Sequence, residues 1–312
     1  MAPSKESQAQ RKLFIEFANA FTIAKNDFLR RCIYDQIYKL GAEAEGVTFE
    51  EVEIADRPAI WARPKNASAR HAMLYMHGGG FNFGSPESHR KLTAHLAKAC
   101  NIQALSVDYR LSPESRFPAQ IEDCVAAYEF LLNSGFDPKA IVLAGDSCGG
   151  HLATSVPLML IQRGLPMPAA SVSLSPSYDL TKRDEGTMKS NQKNDALNNK
   201  DFVEQIVETW IRGTGAKEDD ALVSPLFASM DDIKRLPPHW ISCGGHDMLC
   251  DQGTRFAERL NDAGVEVVVE VHEDQQHVME MMAGKAPEAN HSIQKIGEWV
   301  QSKLGIQHRV LE

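Results

Sequence analysis

From about residue 70 onward the chain alternates short apolar runs with longer segments in which apolar residues recur every three or four positions. Met73-Leu74-Tyr75-Met76, Gln103-Ala104-Leu105-Ser106-Val107, Ile141-Val142-Leu143-Ala144, Ser171-Val172-Ser173-Leu174, Trp240-Ile241-Ser242-Cys243 and Val267-Val268-Val269-Glu270-Val271 are each short enough to be strands. Between them, Ile121, Val125, Tyr128 and Leu132 fall at helical spacing, as do Leu92 with Leu96 and Phe256 with Leu260. Such alternation predicts an α/β fold: a mainly parallel central sheet with helices on both faces.

Two stretches break the rhythm. Residues 10 to 40 carry Phe14, Phe17, Phe21 and Phe28 at near-helical spacing, and residues 180 to 222 are polar before a helix bearing Phe202, Ile206 and Trp210. Both read either as ordinary surface helices or as one helical cap over the C-terminal edge of the sheet, where open α/β folds bind ligands. On the cap reading, residues 1–45 are N-terminal cap helices and 46–312 a catalytic domain with a cap insertion at about 180–222.

Composition narrows the partners. The 312 residues are 43% hydrophobic and 24% charged, ordinary for a globular protein, and the net charge of −9 opposes nucleic acid and anionic membrane surfaces. No apolar run approaches the roughly 18 residues of a membrane span, and the opening residues lack a secretory signal, so a cytoplasmic location is expected. The six cysteines form no Cys-x-x-Cys pair, which predicts reduced, buried thiols rather than zinc or redox chemistry. Asn66-Ala67-Ser68 fits a glycosylation sequon but reads as a surface turn. The terminal Leu311-Glu312 reads as native sequence or as a cloning scar.

The chemistry gathers around Gly145-Asp146-Ser147-Cys148-Gly149-Gly150, which follows an apolar run and precedes the helical Leu152-Ala153-Thr154-Ser155-Val156. This is either a flexible turn or a strand-to-helix corner so tight that positions two residues either side of Ser147 must lack side chains. A serine nucleophile needs a base, an orienter for the base, and donors for the developing oxyanion. His77-Gly78-Gly79-Gly80-Phe81 closes an earlier strand, and its glycines free backbone N–H groups to meet a ligand oxygen. Gly79, Gly80 and the Cys148 N–H would form an oxyanion hole, each donor contributing on the order of 3 kcal/mol to the transition state. A phosphate loop fits poorly, because neither Gly-x-Gly-x-x-Gly nor a following Gly-Lys-Ser/Thr is present.

Three segments in order, His77 to Phe81, Asp108-Tyr109-Arg110-Leu111-Ser112-Pro113-Glu114 with Phe117-Pro118-Ala119, and Gly145 to Gly150, resemble the hormone-sensitive-lipase-like branch of the α/β-hydrolases. The resemblance continues through Val223-Ser224-Pro225-Leu226 and Asp247-Met248-Leu249-Cys250-Asp251 to His277, spanning roughly residues 45 to 305. It implies that Asp247 orients the base and that Asp251 begins the next helix. The order Ser147, Asp247, His277 follows that of the superfamily. Independently, Asp247 and His277 each fall just past an expected strand, on the same edge as Ser147. His77 reads as an anchor of the glycine loop, and His151 as a packing or pocket-lining residue.

The sequence departs from the family pattern at Cys148, where alanine is common, and at His277-Val278-Met279, where His-Gly-Phe is common. Ser177 stands near a family tryptophan, which implies a roomier or reshaped acyl pocket. Cys148 as nucleophile is the weaker alternative, since it lies off the centre of the corner. The expected function is a serine carboxylesterase acting on short-to-medium acyl esters of small molecules, with no metal or cofactor required. The alternatives are an amidase or deacetylase using the same residues, or a non-catalytic small-ligand receptor of the same fold. The His277 pKa is expected near 6 to 7.

Overall fold

The computed structural model describes residues 3–181 and 184–306; Leu311-Glu312 lie outside them, as do residues 182 and 183 of the second polar stretch. Among the described residues one sheet contains β1 (Val47–Ile54), β2 (Arg57–Pro64), β3 (Ser68–Met76), β4 (Ile102–Val107), β5 (Ile141–Asp146), β6 (Ala170–Leu174), β7 (His239–Gly244) and β8 (Val267–His272). Its order is β1-β2-β4-β3-β5-β6-β7-β8, antiparallel at β1–β2 and β2–β4 and parallel from β4 onward. The six strands expected from the apolar runs are β3 to β8.

The apolar pattern does not reveal β1 and β2. β1 is an edge strand, Val-Thr-Phe-Glu-Glu-Val-Glu-Ile, in which only Ile54 is buried, so it carries no apolar run. β2 is bounded by prolines inside its ends. A two-residue turn joins them, with Ala55 and Asp56 at φ of 50° and 62°, the geometry whose twist matches a hairpin.

The helices are α1 (Lys5–Ile23), α2 (Asp27–Tyr34), α3 (Pro86–Cys100), α4 (Ala119–Asn133), α5 (Cys148–Arg163), α6 (Gly186–Ser190), α7 (Lys200–Ile211), α8 (Met230–Ile233), α9 (Cys250–Asp262) and α10 (Pro287–Lys303). Side chains alternate along a strand, and β3 feeds two cores. Met73 and Tyr75 pack with Leu92 and Leu96 of α3 and Ile293, Ile296 and Val300 of α10. Leu74 and Met76 pack with Ile121, Val125 and Tyr128 of α4 and Leu152 and Val156 of α5. Phe256 and Leu260 of α9 close a third cluster with Ile241 and Cys243 of β7. Each such fully buried side chain contributes about 1.5–3 kcal/mol. Both faces are therefore sealed over β4 to β7 and the second half of β3, which explains why these strands read as continuous apolar runs, whereas the edge strand β8 leaves Val269 and Val271 exposed.

Strand order fixes where a ligand can enter. The chain runs from β3 to β4 on one side, then returns to place β5 on the other side of β3. The loops leaving β3 and β5 diverge, and the crevice between them is the switch point at which open α/β sheets bind ligands. His77 to Gly80 leaves β3 there, and Ser147 leaves β5.

Helices α1, α2 and α7 stand over this crevice. Phe21 of α1 meets Phe83 at 4.8 Å and Phe202 of α7 at 5.7 Å, both edge-on, so the two irregular stretches touch through aromatic rings. Phe28 does not share this face: α1 ends at Ile23, Asn26 caps a new helix, and Phe28 points outward, 73% exposed. Asn66 lies exposed in the turn before β3. No helix among the described residues is long and apolar enough to cross a membrane.

Candidate active site

Ser147 is the corner between β5 and α5. Its φ of 54° and ψ of −120° lie outside the regions open to ordinary L-residues, a conformation that costs about 1–3 kcal/mol and must be imposed by its surroundings. The Ser147 amide donates to Leu174 O of β6 at 2.7 Å, and its carbonyl accepts from His151 N at 3.0 Å. The flanking glycines are obligatory. A Cβ on Gly149 would sit 1.9 Å from Met76 O, and one on Gly145 2.4 Å from both Met76 O and the Gly149 carbonyl. The tight corner, not the flexible turn, is what the sequence encodes.

The glycine loop after β3 is held from behind. Gly79 and Gly80 have φ of 118° and 60°; side chains there would strike Phe83 O at 2.3 Å and Ile206 Cδ1 at 2.4 Å. Asp146, fully buried, accepts from Gly78 N at 3.0 Å and from the Tyr75 hydroxyl at 2.6 Å. His77 stacks on Tyr109 at 4.2 Å, and the Tyr109 hydroxyl donates to His77 O at 2.6 Å. Burial, reinforced by the charge of His89, lowers the His77 pKa to about 3, so its ring is neutral. Arg110 and Asp123 form a bidentate pair beside it, at 2.7 to 3.0 Å. These contacts give the Asp108-Tyr109-Arg110 segment its part: it braces the loop.

Asp247 and His277 lie beyond β7 and β8. His277 Nδ1 is 2.8 Å from Asp247 Oδ2, and Asp247 Oδ1 accepts from Leu249 N at 2.8 Å, with both residues buried. The loops that carry Asp247 and His277 are pressed together, since a Cβ on Gly244 would meet Gln276 O at 2.3 Å. Behind His277, Val278 is forced to φ 46°, unusual for a β-branched residue, and its amide donates to Ser175 Oγ at 3.0 Å. Burial would lower the His277 pKa, but the charges of Asp247, Asp195 and Asp146 and the Asp247 hydrogen bond raise it to about 9. That departs from the 6 to 7 expected from an isolated imidazole.

Ser147, His277, Gly79, Gly80 and Cys148 all line one cavity of about 400 Å³, within the size range of small-molecule sites. As the first residue of α5, Cys148 has an N–H with no intrahelical acceptor, and the helix dipole makes this end electropositive. The rest of the lining is largely apolar, including Phe17, Phe21, Phe81 and Phe202. Among the described residues no cluster of His, Cys, Asp or Glu has the makings of a metal site.

The profile of the α/β-hydrolase fold matches residues 73–281. The chain belongs to the α/β-hydrolase family. Within that family it is 33% identical to an acetyl-hydrolase of Streptomyces hygroscopicus over 88% of this chain and 90% of that protein. It is 32% identical to an esterase of Acinetobacter venetianus over 87% and 88%. A bacterial esterase of the hormone-sensitive-lipase family superposes with a TM-score of 0.90 at 34% identity, covering 98% of this chain and all of that one. The hormone-sensitive-lipase resemblance drawn from the three motifs agrees with this neighbour.

Cys148 and Cys32 depart from expectation in this α/β-hydrolase, whereas Ser177, His151 and Asp251 lie where the sequence puts them. The Cys148 side chain does more than occupy an alanine position: its sulfur accepts the Phe81 N–H at 3.2 Å, and burial pushes its thiol pKa up to about 12, the reverse of a nucleophilic cysteine. Cys32 is exposed, whereas the other five cysteines are buried. It lies on α2, a short helix packed on one side only, and so escapes the core. Trp210 and Tyr178 are fully buried and support the site from outside: Trp210 stacks on Phe81 at 3.7 Å and donates to Gln120 Oε1 at 2.9 Å. Ser177 lines the cavity and its carbonyl lies 2.8 Å from His151 Nδ1, making His151 a packing residue whose pKa burial lowers to about 4. Asp251 falls in the first turn of α9 and bonds to Thr187. Tyr109, Asp146 and Asp195 were not singled out as site residues in the sequence, because their parts depend on contacts the sequence pattern does not display.

Proposed function

We propose that this chain, a carboxylic ester hydrolase, cleaves short-to-medium acyl esters of small molecules as a serine carboxylesterase. Ser147 Oγ attacks the ester carbonyl while His277 takes its proton, Asp247 holds the imidazole and balances its charge, and the N–H groups of Gly79, Gly80 and Cys148 receive the oxyanion. His277 then returns the proton to the leaving alcohol, and water releases the acyl group from Ser147 by the same route in reverse.

The observation that carries this reading is the conjunction at the cavity: a strained serine and a histidine share its wall, and that histidine is held by a buried carboxylate at 2.8 Å. Strain at a half-exposed serine is retained only where a rigid frame enforces it, and here Met76, Leu174 and the two glycines do so. Cavity volume and its apolar wall suit one small ester, with α1, α2 and the 180–222 insertion serving as cap. The net charge of −9 disfavours nucleic acid and anionic membrane surfaces as partners. One relative's designation, acetyl-hydrolase, favours removal of acetyl groups as a special case of the same chemistry.

The test is a series of p-nitrophenyl esters of increasing acyl length with wild type and Ser147→Ala. Turnover concentrated at the short end and abolished by the substitution is expected. Wild-type protein without turnover on any ester would favour the receptor reading instead.

A further inference from the structure

A second carboxylate stands behind the Asp247–His277 pair. Asp195, on the segment between α6 and α7, is buried, and four N–H donors surround its two oxygens. Oδ1 accepts from Leu197 N at 2.9 Å and Asn198 N at 2.8 Å. Oδ2 accepts from Met248 N at 2.9 Å and Asn198 Nδ2 at 3.2 Å. Met248 is the residue after Asp247. An acceptor-only group fits this cage, whereas an amide would turn its NH₂ against donors whichever way it faced.

The same segment grips both functional loops. Asn191 Nδ2 donates to Gly245 O and Asp247 O, each at 2.9 Å. Gln276, adjacent to His277, accepts from Ala196 N at 2.8 Å and donates to Asn194 O at 3.1 Å. Leu197 and Asn198, which complete the turn around Asp195, line the cavity with Ser147.

We propose that Asp195 is a positioning residue: through the Met248 amide its carboxylate clasps the Asp247 loop to the cap insertion, so that Asp247 and His277 keep their register while substrate packs against the same turn. The proposal rests on the triad reading above. It adds a charge as well as a contact. The charges of Asp247, Asp195 and Asp146 all favour the protonated form of His277, the form created when Ser147 attacks. Burial and the charge of Asp247 raise the Asp195 carboxyl above the usual range, opposed by His277 and the N–H groups of Met248 and Asn198. His246, 3.4 Å from Gln276, and Asp274, 3.3 Å from His246, lie on the outer side of the same loops.

The experiment compares wild type, Asp195→Asn and Asp195→Glu on p-nitrophenyl acetate across the pH range, with active sites counted by an organophosphonate. Asp195→Asn is expected to lower kcat about ten- to a hundredfold with KM little changed, as a displaced catalytic pair requires. Its acid limb in kcat/KM should move about one pH unit toward acid, because one anion that favours protonated His277 is gone. Asp195→Glu should keep the limb near its wild-type position. Where Asp195→Asn does not fold, Asp195→Ser, small enough to admit water at the four donors, carries the same two readouts. An acid limb that stays put in the neutral variant, or a loss confined to KM, overturns the role of Asp195. Turnover that survives in Ser147→Ala or His277→Ala would instead bring down the triad reading, and this proposal with it.

Discussion

In the mechanism proposed above, His277 accepts the Ser147 proton only when its imidazole is neutral, so pH is a direct perturbation of the site. Its surroundings raise the pKa from the ordinary 6.5 to about 9, Asp247, Asp195 and Asp146 together outweighing burial. Since the raised pKa favours the protonated ring, the active neutral form is scarce at pH 7, about 1%, and reaches about half at pH 9. kcat/KM should therefore climb roughly 50-fold between pH 7 and 9, whereas an unperturbed histidine would give a rise of only about 1.3-fold. The assay is the initial rate on p-nitrophenyl butyrate well below KM, read at a wavelength insensitive to phenol ionisation and corrected with an enzyme-free blank. Asp247→Asn serves as the internal control: it should lower the plateau by about 10³- to 10⁴-fold and move what remains of the limb toward acid. A wild-type profile already level by pH 7.5 would refute the electrostatic account of the base.

Further outcomes follow from packing. Gly149→Ala, whose Cβ would lie 1.9 Å from Met76 O between two rigid backbones, should cost about 3 kcal/mol in urea unfolding; a wild-type midpoint would contradict the corner geometry. Trp210→Ala should cost about 3–5 kcal/mol by the same measurement, since it empties the fully buried space beneath Phe81. Ser177→Trp should fill the cavity wall and reduce kcat/KM for butyrate at least about tenfold more than for acetate, an unchanged ratio showing that Ser177 does not bound the acyl group.

What could be read from the sequence was what is local. Gly145-x-Ser147-x-Gly149 announces its corner by a short local spacing, although the clash that demands glycine comes largely from Met76 O at the end of the neighbouring strand β3. The apolar runs of β3 to β7 announce themselves because both their faces are sealed, and β8 does so by its valines although Val269 and Val271 are exposed, while β1, wet on most of its length, has nothing apolar to show. Asp247 and His277 are reachable through family resemblance, chain order and their places just past expected strands, but their pairing is not visible locally, since 30 residues separate the partners of a single hydrogen bond. Asp195 bonds to Met248 across 53 positions and belongs to a polar stretch without periodicity, so nothing local marks it. For the same reason a local reading places the His277 pKa too low: it depends on two further carboxylates, one beside Ser147 and one from the insertion. Phe28 shows the opposite failure, a periodicity that ran on past the break between α1 and α2.

Labelling tests the central claim most directly. Wild-type protein treated with a fluorophosphonate, digested and mapped by mass spectrometry should carry one adduct, on Ser147, formed faster as pH rises and absent from Ser147→Ala. An adduct on Cys148 or any other residue, or undiminished labelling of Ser147→Ala, would contradict it.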